Sequence, residues 1–285
     1  FLNFKMYDPD LLTHKRVDYI SIDKETKCDK CRRICVVFQP IFYLALIGIA
    51  CFLLFSPKWP WSVTIRDGIQ NDVITESSVY TGDALNDLVT DLPGLIDDIK
   101  VNHFSGYLDA LEGRQIHYQF FEAQSDPYTS PVFIWTNGGP GCSGLEGIFN
   151  EHGPVWIYDD LSLKINPYSW NTLVNMVYIE QPYGVGFSIN NDDETVISGD
   201  ENAAKDMDAA IRSFLTKFDI FLKNNNKIYI TAESWGGHYM PITALRILKN
   251  NDNGYTPHIN FGGFFVGNPY TNEIENEVGF MEATY

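Results

Sequence analysis

The feature that most constrains the fold is a serine placed between a strand-like run and a helix-like stretch. Residues 227–232 read Lys-Ile-Tyr-Ile-Thr-Ala, and this β-branched, aromatic run is typical of a buried strand. Ser234 follows two residues later, Gly236 supplies a small residue at the turn, and a helix-like stretch begins near His238. A strand, a tight turn that carries serine and a helix form a nucleophile elbow, so the pattern predicts an α/β fold.

This motif departs from the usual elbow pattern at one position. Ala232 occupies the place where the Gly-x-Ser-x-Gly pattern has its first glycine. An ordinary serine at the N-cap of a helix is therefore the alternative interpretation of Ser234.

A glycine-rich motif after a second strand-like run favours the elbow. Residues 137–141 read Asn-Gly-Gly-Pro-Gly and directly follow the apolar run 131–136. Glycines at the end of a strand allow backbone N–H groups to point at an oxyanion. A phosphate-binding loop is the rival interpretation, but no Lys-Ser/Thr pair follows and Pro140 removes a donor.

Strand-like and helix-like segments alternate along the C-terminal two thirds of the chain. Residues 131–136, 175–180, 227–232 and 260–266 are typical of buried strands. Between the second and third of them lies an apolar stripe at helical spacing, formed by Ala203, Met207, Ile211, Phe214 and Phe218. The alternation predicts a mostly parallel sheet with helices on both faces, and the stripe is assigned to core packing.

The N-terminal third contains a candidate membrane span. Residues 36–55 are 20 residues without a charge, which at ~1.5 Å per residue cover roughly 30 Å, the thickness of a bilayer core. Trp59 and Trp61 follow, as in an interfacial aromatic belt. A cleaved signal peptide is the alternative, but its charged region would be unusually long and no small-x-small cleavage site follows.

The flanking charges predict the orientation of this span. On its N-terminal side lie Lys24, Lys27, Lys30, Arg32 and Arg33, whereas only Lys58 and Arg66 are close on the other side. The positive-inside rule therefore predicts a cytosolic tail at 1–35, a transmembrane signal anchor at 36–55, a polar stalk at 56–88 and a folded domain at 89–285. That domain is expected in the lumen of a secretory, vacuolar or lysosome-like compartment, or outside the cell.

The cysteines and the net charge limit the possible ligands. The net charge of −17 argues against nucleic-acid binding, which needs a basic surface. Cys28 and Cys31 have the Cys-x-x-Cys spacing, but no second pair or histidine follows at zinc-site spacing. With Cys35 they form a juxtamembrane cluster. These cysteines are either sites of S-palmitoylation or reduced thiols without a further role. No cofactor and no metal is predicted.

Several ordered motifs resemble those of the serine carboxypeptidase family, which has the α/β-hydrolase fold. The resemblance covers roughly residues 90–285, and the stretch 135–144 is its most specific part. The family commonly has Asp at the position of Glu180. The other matching motifs are Leu-Pro-Gly at 92–94, Ser-Gly-Tyr-Leu at 105–108, Asn-Pro-Tyr-Ser-Trp-Asn at 166–171, Tyr-Ile-Glu-Gln-Pro at 178–182, Gly-Val-Gly-Phe-Ser at 184–188 and Gly-Asn-Pro at 267–269.

The resemblance implies a catalytic role for three residues. Ser234 would attack the scissile carbonyl carbon, and the backbone N–H groups of Gly139 and Trp235 would form the oxyanion hole. Loss of one such donor typically lowers the rate by about 10²–10³.

The resemblance also implies a site for the free C-terminal carboxylate of a peptide. Asn137, Glu151 and Glu233 match the binding positions, and Trp135 matches a supporting position. Two carboxyls that meet a substrate carboxylate repel it unless one of them is protonated and donates a hydrogen bond. We therefore expect binding at acidic pH that weakens as pH rises.

The general base and its orienting carboxylate are not found in these 285 residues. In this fold they follow the nucleophile in the order Ser, Asp, His. His238 lies within the elbow motif and His258 precedes the next strand, so neither is assigned as the base. The family's counterpart of Cys142 usually pairs with a downstream cysteine. The chain is therefore expected to be a C-terminally incomplete member of the family.

Three functions remain open at this point. A membrane-anchored serine-type carboxypeptidase that removes C-terminal residues from peptides or proteins is preferred. Acyl transfer by the same serine is the first alternative, but the retained Asn137, Glu151 and Glu233 favour a peptide carboxylate. A truncated, non-catalytic binding protein is the second alternative.

Overall fold

The structure of the protein is a computed structural model that describes residues 79–95, 99–190 and 199–284. The strands are β1 (His103–Asp109), β2 (Gln115–Phe121), β3 (Val132–Thr136), β4 (Val155–Ile157), β5 (Leu163–Ile165), β6 (Asn175–Ile179), β7 (Ile228–Glu233) and β8 (Phe261–Gly267). The α-helices are α1 (Asp83–Asn86), α2 (Asp200–Lys217), α3 (Ile220–Lys223), α4 (Gly236–Asp252) and α5 (Glu273–Thr284). Shorter helical turns lie at Leu111–Gly113, Gly147–Glu151 and Trp170–Thr172.

The predicted membrane span at 36–55 and the tail at 1–35 lie outside the described residues, so both stay predictions. None of the helices in the described ranges has the length and apolarity needed to traverse a bilayer.

Six strands form one sheet in the order β1-β2-β6-β3-β7-β8. The neighbours β6, β3, β7 and β8 are parallel, whereas β1 and β2 are antiparallel to each other and β2 is antiparallel to β6. The antiparallel start follows from chain length, because the short connection between β1 and β2 cannot cross over the sheet. The prediction of a mostly parallel α/β sheet is confirmed, and all four predicted strands are present.

One face of the sheet is covered by two long helices. Alternate residues of the strands, such as Ile134 and Val177, pack with the apolar faces of α2 and α4. All five residues of the predicted helical stripe are buried in this core. Acidic residues in the first turn of α2 and Lys217 in its last turn complement the helix dipole.

The opposite face differs from the prediction of helices on both sides. Trp135, Met176 and Tyr178 form a second core there with Ile148 and Val155. Ile148 belongs to the short turn Gly147–Glu151 and Val155 to the β4–β5 hairpin. The long connection between β3 and β6 therefore covers this face with a hairpin and short turns rather than with a long helix.

The predicted boundary between stalk and domain at residue 88 lies too far along the chain. Tyr80 and Ala84 are buried in the first core, and the Tyr80 hydroxyl donates a 2.6 Å hydrogen bond to Glu122 in the connection after β2. The sequence did not predict that this segment packs on the core, because the segment is polar. Only these two positions are buried, and their spacing shows no sustained helical or strand periodicity. The described residues from 79 onward are thus part of the domain.

Candidate active site

Ser234 occupies a strained turn between β7 and α4. Its φ is +51°, in the left-handed region that side chains other than glycine rarely adopt, and the residue is exposed. Its backbone N–H donates to the carbonyl of Gly267 at 2.9 Å, and its carbonyl accepts from the N–H of Tyr270 at 2.7 Å. Hydrogen bonds to the last residue of β8 and to the chain after it thus hold the turn in the conformation of a nucleophile elbow.

The turn accommodates Ala232 at the position where the usual elbow pattern has glycine. A Cβ atom built on Gly236 would overlap the Cβ atom of Ala232, so the space between these two backbone segments holds one methyl group. Gly236 therefore cannot gain a side chain, whereas Ala232 is accommodated with 0% exposure.

The oxyanion loop, defined here as residues 137–144, lies directly against the elbow. A Cβ atom on Gly138 would lie 2.7 Å from the Trp235 nitrogen and 2.8 Å from the Glu233 carbonyl oxygen. Only glycine permits so close an approach between the two segments. In the described part of the chain, the N–H groups of Gly139 and Trp235 have no hydrogen-bond acceptor, so both can serve an oxyanion.

Asn137, Glu151 and Glu233 meet at one point beside the elbow. Asn137 is fully buried, and its Nδ2 donates to Glu151 Oε1 at 2.9 Å and to Glu233 Oε1 at 3.1 Å. Its Oδ1 accepts from Trp135 Nε1 at 2.8 Å and from the Gly147 N–H at 3.3 Å. The structure thus joins four predicted residues in one hydrogen-bond network. They come from β3, the oxyanion loop, the turn Gly147–Glu151 and β7.

The surroundings of Glu151 favour its protonated state. Burial and the neighbouring charge of Glu233 raise the pKa of Glu151 above its ordinary value, against the opposite effect of the bond from Asn137. A protonated Glu151 can donate a hydrogen bond to a carboxylate. The cluster can therefore bind an anion at acidic pH in spite of its own acidic residues.

His152 supports this cluster and was not identified from the sequence. Its ring stacks on Trp170 at 4.0 Å and meets Trp135 edge-on at 4.1 Å. Burial lowers the pKa of His152 to about 3, so the ring stays neutral at physiological pH. In the sequence, only the position of His152 next to Glu151 indicates this supporting role.

An aromatic stack fixes the Trp235 side chain. The indole stacks on His238 at 4.3 Å and on Tyr270 at 5.6 Å between ring centroids, and its Nε1 donates to Asp200 at 3.2 Å. His238 Nδ1 lies 3.7 Å from the same carboxylate. His258 is exposed. Neither histidine is assigned as a general base.

The chain is similar in sequence to known proteins of one family. The family profile described as "Serine carboxypeptidase" matches residues 93–285. The mouse lysosomal protective protein is 38% identical over 195 residues, which are 68% of this chain and 39% of the mouse protein. Carboxypeptidase Y homolog A of Paracoccidioides lutzii is 40% identical over 62% of this chain and 31% of its own length. The chain thus spans less than half of the length of these relatives.

A solved structure shows the same fold. Kex1Δp, a prohormone-processing carboxypeptidase from Saccharomyces cerevisiae, superposes with a TM-score of 0.54 and 26% identity. The superposition covers 65% of this chain and 43% of the yeast chain.

Proposed function

Because this chain belongs to the serine carboxypeptidase family, we propose that it acts as a serine-type carboxypeptidase that releases C-terminal residues from peptides. Ser234 is the nucleophile, and the N–H groups of Gly139 and Trp235 stabilise the tetrahedral oxyanion. Asn137, Glu151 and Glu233 bind the terminal carboxylate. No residue of this sequence is assigned as the general base.

The observation that carries the proposal is the position of Asn137. Its side-chain amide donates hydrogen bonds to two carboxyls. One of them belongs to Glu233, the residue immediately before the nucleophile. A substrate carboxylate bound at this point lies close to Ser234, so the bond that Ser234 attacks is a C-terminal one. This arrangement favours an exopeptidase over an endopeptidase.

We also propose that the domain functions in a lumenal or extracellular space and is anchored by the uncharged run 36–55. The excess of basic residues before this run supports the orientation. The raised pKa of Glu151 supports an acidic compartment. The mouse relative is named a lysosomal protein, which agrees with a lumenal location.

The test compares two peptides that differ only in a free or amidated C-terminus. With the full-length protein at acidic pH, we expect release of the last residue from the free acid and a kcat/KM at least about tenfold lower for the amide, since the amide leaves the carboxylate site unpaired. Ser234→Ala should abolish release. Ser125→Ala, which changes an exposed serine, is the matched control and should leave the rate unchanged.

Other outcomes would favour the two alternatives. Equal kcat/KM for the acid and the amide would contradict carboxylate recognition. Transfer of an acyl group from an ester to an alcohol, without peptide hydrolysis, would favour an acyltransferase. Peptide binding without turnover and without covalent labelling of Ser234 would favour a non-catalytic binding protein.

A further inference from the structure

Glu180 is a buried carboxylate at the carboxyl end of β6. It is 1% exposed and directly follows the last residue of the strand. Its backbone N–H donates to the His117 carbonyl at 3.1 Å, and its carbonyl accepts from the Ser188 hydroxyl at 2.6 Å. The main chain of Glu180 is therefore fixed on both sides.

The carboxylate of Glu180 connects three separate segments. Oε1 accepts a short hydrogen bond from the Ser143 hydroxyl in the oxyanion loop. Oε2 accepts from the Phe187 N–H at 2.9 Å and lies 2.9 Å from His117 Nδ1 in β2. Because an ionised carboxylate only accepts, His117 Nδ1 is the donor in this contact. His117 Nε2 lies 3.3 Å from the Ser105 hydroxyl, which extends the network to β1.

These donors stabilise the ionised form of Glu180. Burial opposes ionisation, but hydrogen bonds from His117, Ser143 and the Phe187 N–H outweigh it, so the pKa of Glu180 lies below its ordinary value. Hydrogen bonds to a charged group are the stronger ones, and those of Glu180 are largely shielded from water. The network is thus well suited to hold its members in place.

The oxyanion loop is held at both ends by glycine contacts. At its start, Gly138 packs on the backbone of the elbow. At its end, a Cβ atom on Gly144 would overlap the carbonyl oxygen of Ile179, the residue before Glu180. The bond between Ser143 and Glu180 adds a side-chain contact near the end of the loop. The end of β6 therefore sets the position of the loop that carries Gly139.

We propose that Glu180 is a positioning residue that holds the oxyanion loop, through Ser143, at the place where the Gly139 N–H meets the reacting carbonyl oxygen. Glu180 acts without touching the substrate. The inference rests on the proposed hydrolase function for its kinetic consequence, and on the geometry alone for its effect on the loop.

The length of the Glu180 side chain matters in this protein. Gly186 lies against the carboxylate, and a Cβ atom at that position would overlap Glu180 Oε1. The absence of a side chain at Gly186 therefore leaves room for the full length of glutamate. We expect Glu180→Asp to withdraw the carboxylate by one methylene group and to lose Ser143 or His117 as a partner.

The kinetic test uses Glu180→Gln and Ser143→Ala in the full-length protein. Glu180→Gln keeps the volume but removes the charge and exchanges one acceptor oxygen for a donor. An amide nitrogen at the place of Oε1 takes the acceptor from the Ser143 hydroxyl, and one at the place of Oε2 takes it from both the Phe187 N–H and His117 Nδ1. A displaced oxyanion donor affects the transition state alone, so kcat should fall about tenfold to a hundredfold while KM stays within about twofold. The double variant should lose no more than the more impaired single variant, because both act through one contact.

Glu122→Gln is the matched control for removal of a buried carboxylate. Glu122 lies just after β2, is 4% exposed and accepts from the Tyr80 hydroxyl at 2.6 Å, but it makes no hydrogen bond to the oxyanion loop. We expect this variant to lower the melting temperature and to leave kcat unchanged. A fall of kcat in Glu122→Gln equal to that in Glu180→Gln would overturn the proposal, because it would show a general effect of lost stability.

Hydrogen–deuterium exchange tests the loop without any turnover. The N–H of Cys142 donates to the Gly138 carbonyl at 3.2 Å, and the N–H of Leu145 donates to the Ser143 hydroxyl at 3.1 Å. Deuterium uptake over residues 138–146 should rise in Glu180→Gln and Ser143→Ala but not in Glu122→Gln. Unchanged uptake, or a raised KM at wild-type kcat, would overturn the proposal. A wild-type protein without peptidase activity would refute the proposed function, and the exchange result would still decide the role of Glu180.

Discussion

At the scale of single residues, the amide of Asn137 can adopt only one orientation. Its Nδ2 hydrogens are both donated to carboxyls, and its Oδ1 accepts from Trp135 and Gly147. A flipped amide would point its donors at two other donors. The orientation of Asn137 therefore forces Glu151 and Glu233 to face the same side, which is the origin of their mutual repulsion.

This repulsion leads to a prediction for Glu151→Gln. The wild-type pKa is raised, so Glu151 is protonated below that pKa and ionised above it. For a substrate with a free carboxylate, wild-type kcat/KM should fall as pH rises through this pKa, because an ionised Glu151 repels the substrate. Glu151→Gln keeps a neutral donor at every pH, so we expect a flatter profile of kcat/KM against pH.

The control for this profile is Glu146→Gln. Glu146 contributes a smaller part of the charge that acts on Glu151. Its replacement should leave most of the pH dependence in place. An identical profile for wild type and Glu151→Gln would show that another group governs carboxylate binding.

The residues with a proposed direct role in the chemistry could be predicted from the sequence more readily than the residues that hold them in place. Ser234 and Asn137 lie in motifs whose chemistry is local, because a tight turn or a glycine-rich loop needs particular residue types. The support from His152 and Glu180 depends on contacts between distant segments, such as the stacking of His152 on Trp170. No local pattern encodes such contacts, so the supporting roles of these two residues could not be predicted from the sequence.

At the scale of elements, the oxyanion loop and the elbow depend on close backbone contact. Gly138→Ala places a Cβ atom within 2.9 Å of three elbow atoms, so one of the two segments must move. We expect kcat to fall about a hundredfold, since about 1 Å of misplacement can cost that much. Steady-state kinetics with a peptide substrate would measure the loss.

Gly279→Ala is the matched control for that substitution. Gly279 lies within α5, and a Cβ atom there meets no atom within 4 Å. Alanine favours a helix over glycine by up to about 1 kcal/mol, so the free energy of unfolding should rise slightly and kcat should not change. Equal losses of activity in both variants would contradict the backbone-contact argument.

The docking of α2 depends on its apolar stripe. Phe214 is fully buried and packs edge-on against Phe120 of β2 at 5.4 Å. Phe214→Ala should lower the free energy of unfolding by about 3–5 kcal/mol, measured by denaturant titration. Leu245→Ala removes a side chain of α4 that is 63% exposed, so its effect should be below about 0.5 kcal/mol.

The strands were predictable because their apolar runs are continuous, as expected for strands buried on both faces. Each predicted strand agrees with the structure to within one residue at either end. The β4–β5 hairpin was not predicted, since its strands have three residues each and show no periodicity of their own. Its existence follows from the need to cover Trp135 and Tyr178, which is a property of the whole sheet.

At the scale of the whole molecule, buried titratable groups make stability depend on pH in two opposite ways. Burial lowers the pKa of His103 to about 4 and that of His152 to about 3, from an ordinary 6.5. Between these values the unfolded chain binds more protons, so both groups reduce stability as pH falls below about 6.5. Burial raises the pKa of Glu122, so this group reduces stability as pH rises above its ordinary 4.5.

The contribution of His103 can be removed by His103→Phe. Phenylalanine keeps the stacking on Phe121, which has a centroid distance of 4.0 Å, but it does not titrate. The slope of unfolding free energy against pH between about 6.5 and 4 should decrease by up to about 1.4 kcal/mol per pH unit.

Denaturant titrations at several pH values would measure this slope. His258→Gln, which changes an exposed histidine, is the control and should keep the wild-type slope. An unchanged slope in His103→Phe would mean that folding does not shift the pKa of the His103 ring.

The parallel pairing of β3 with β7 has a consequence for how such proteins can vary in length. Thr136 pairs with Ala232, so the segments that follow both strands, the oxyanion loop and the elbow, leave the sheet side by side. A single residue inserted into either strand would turn every later side chain of that strand to the opposite face. Added length is thus better tolerated in connections such as residues 158–162 between β4 and β5, and a designer who wishes to add a segment should insert it there.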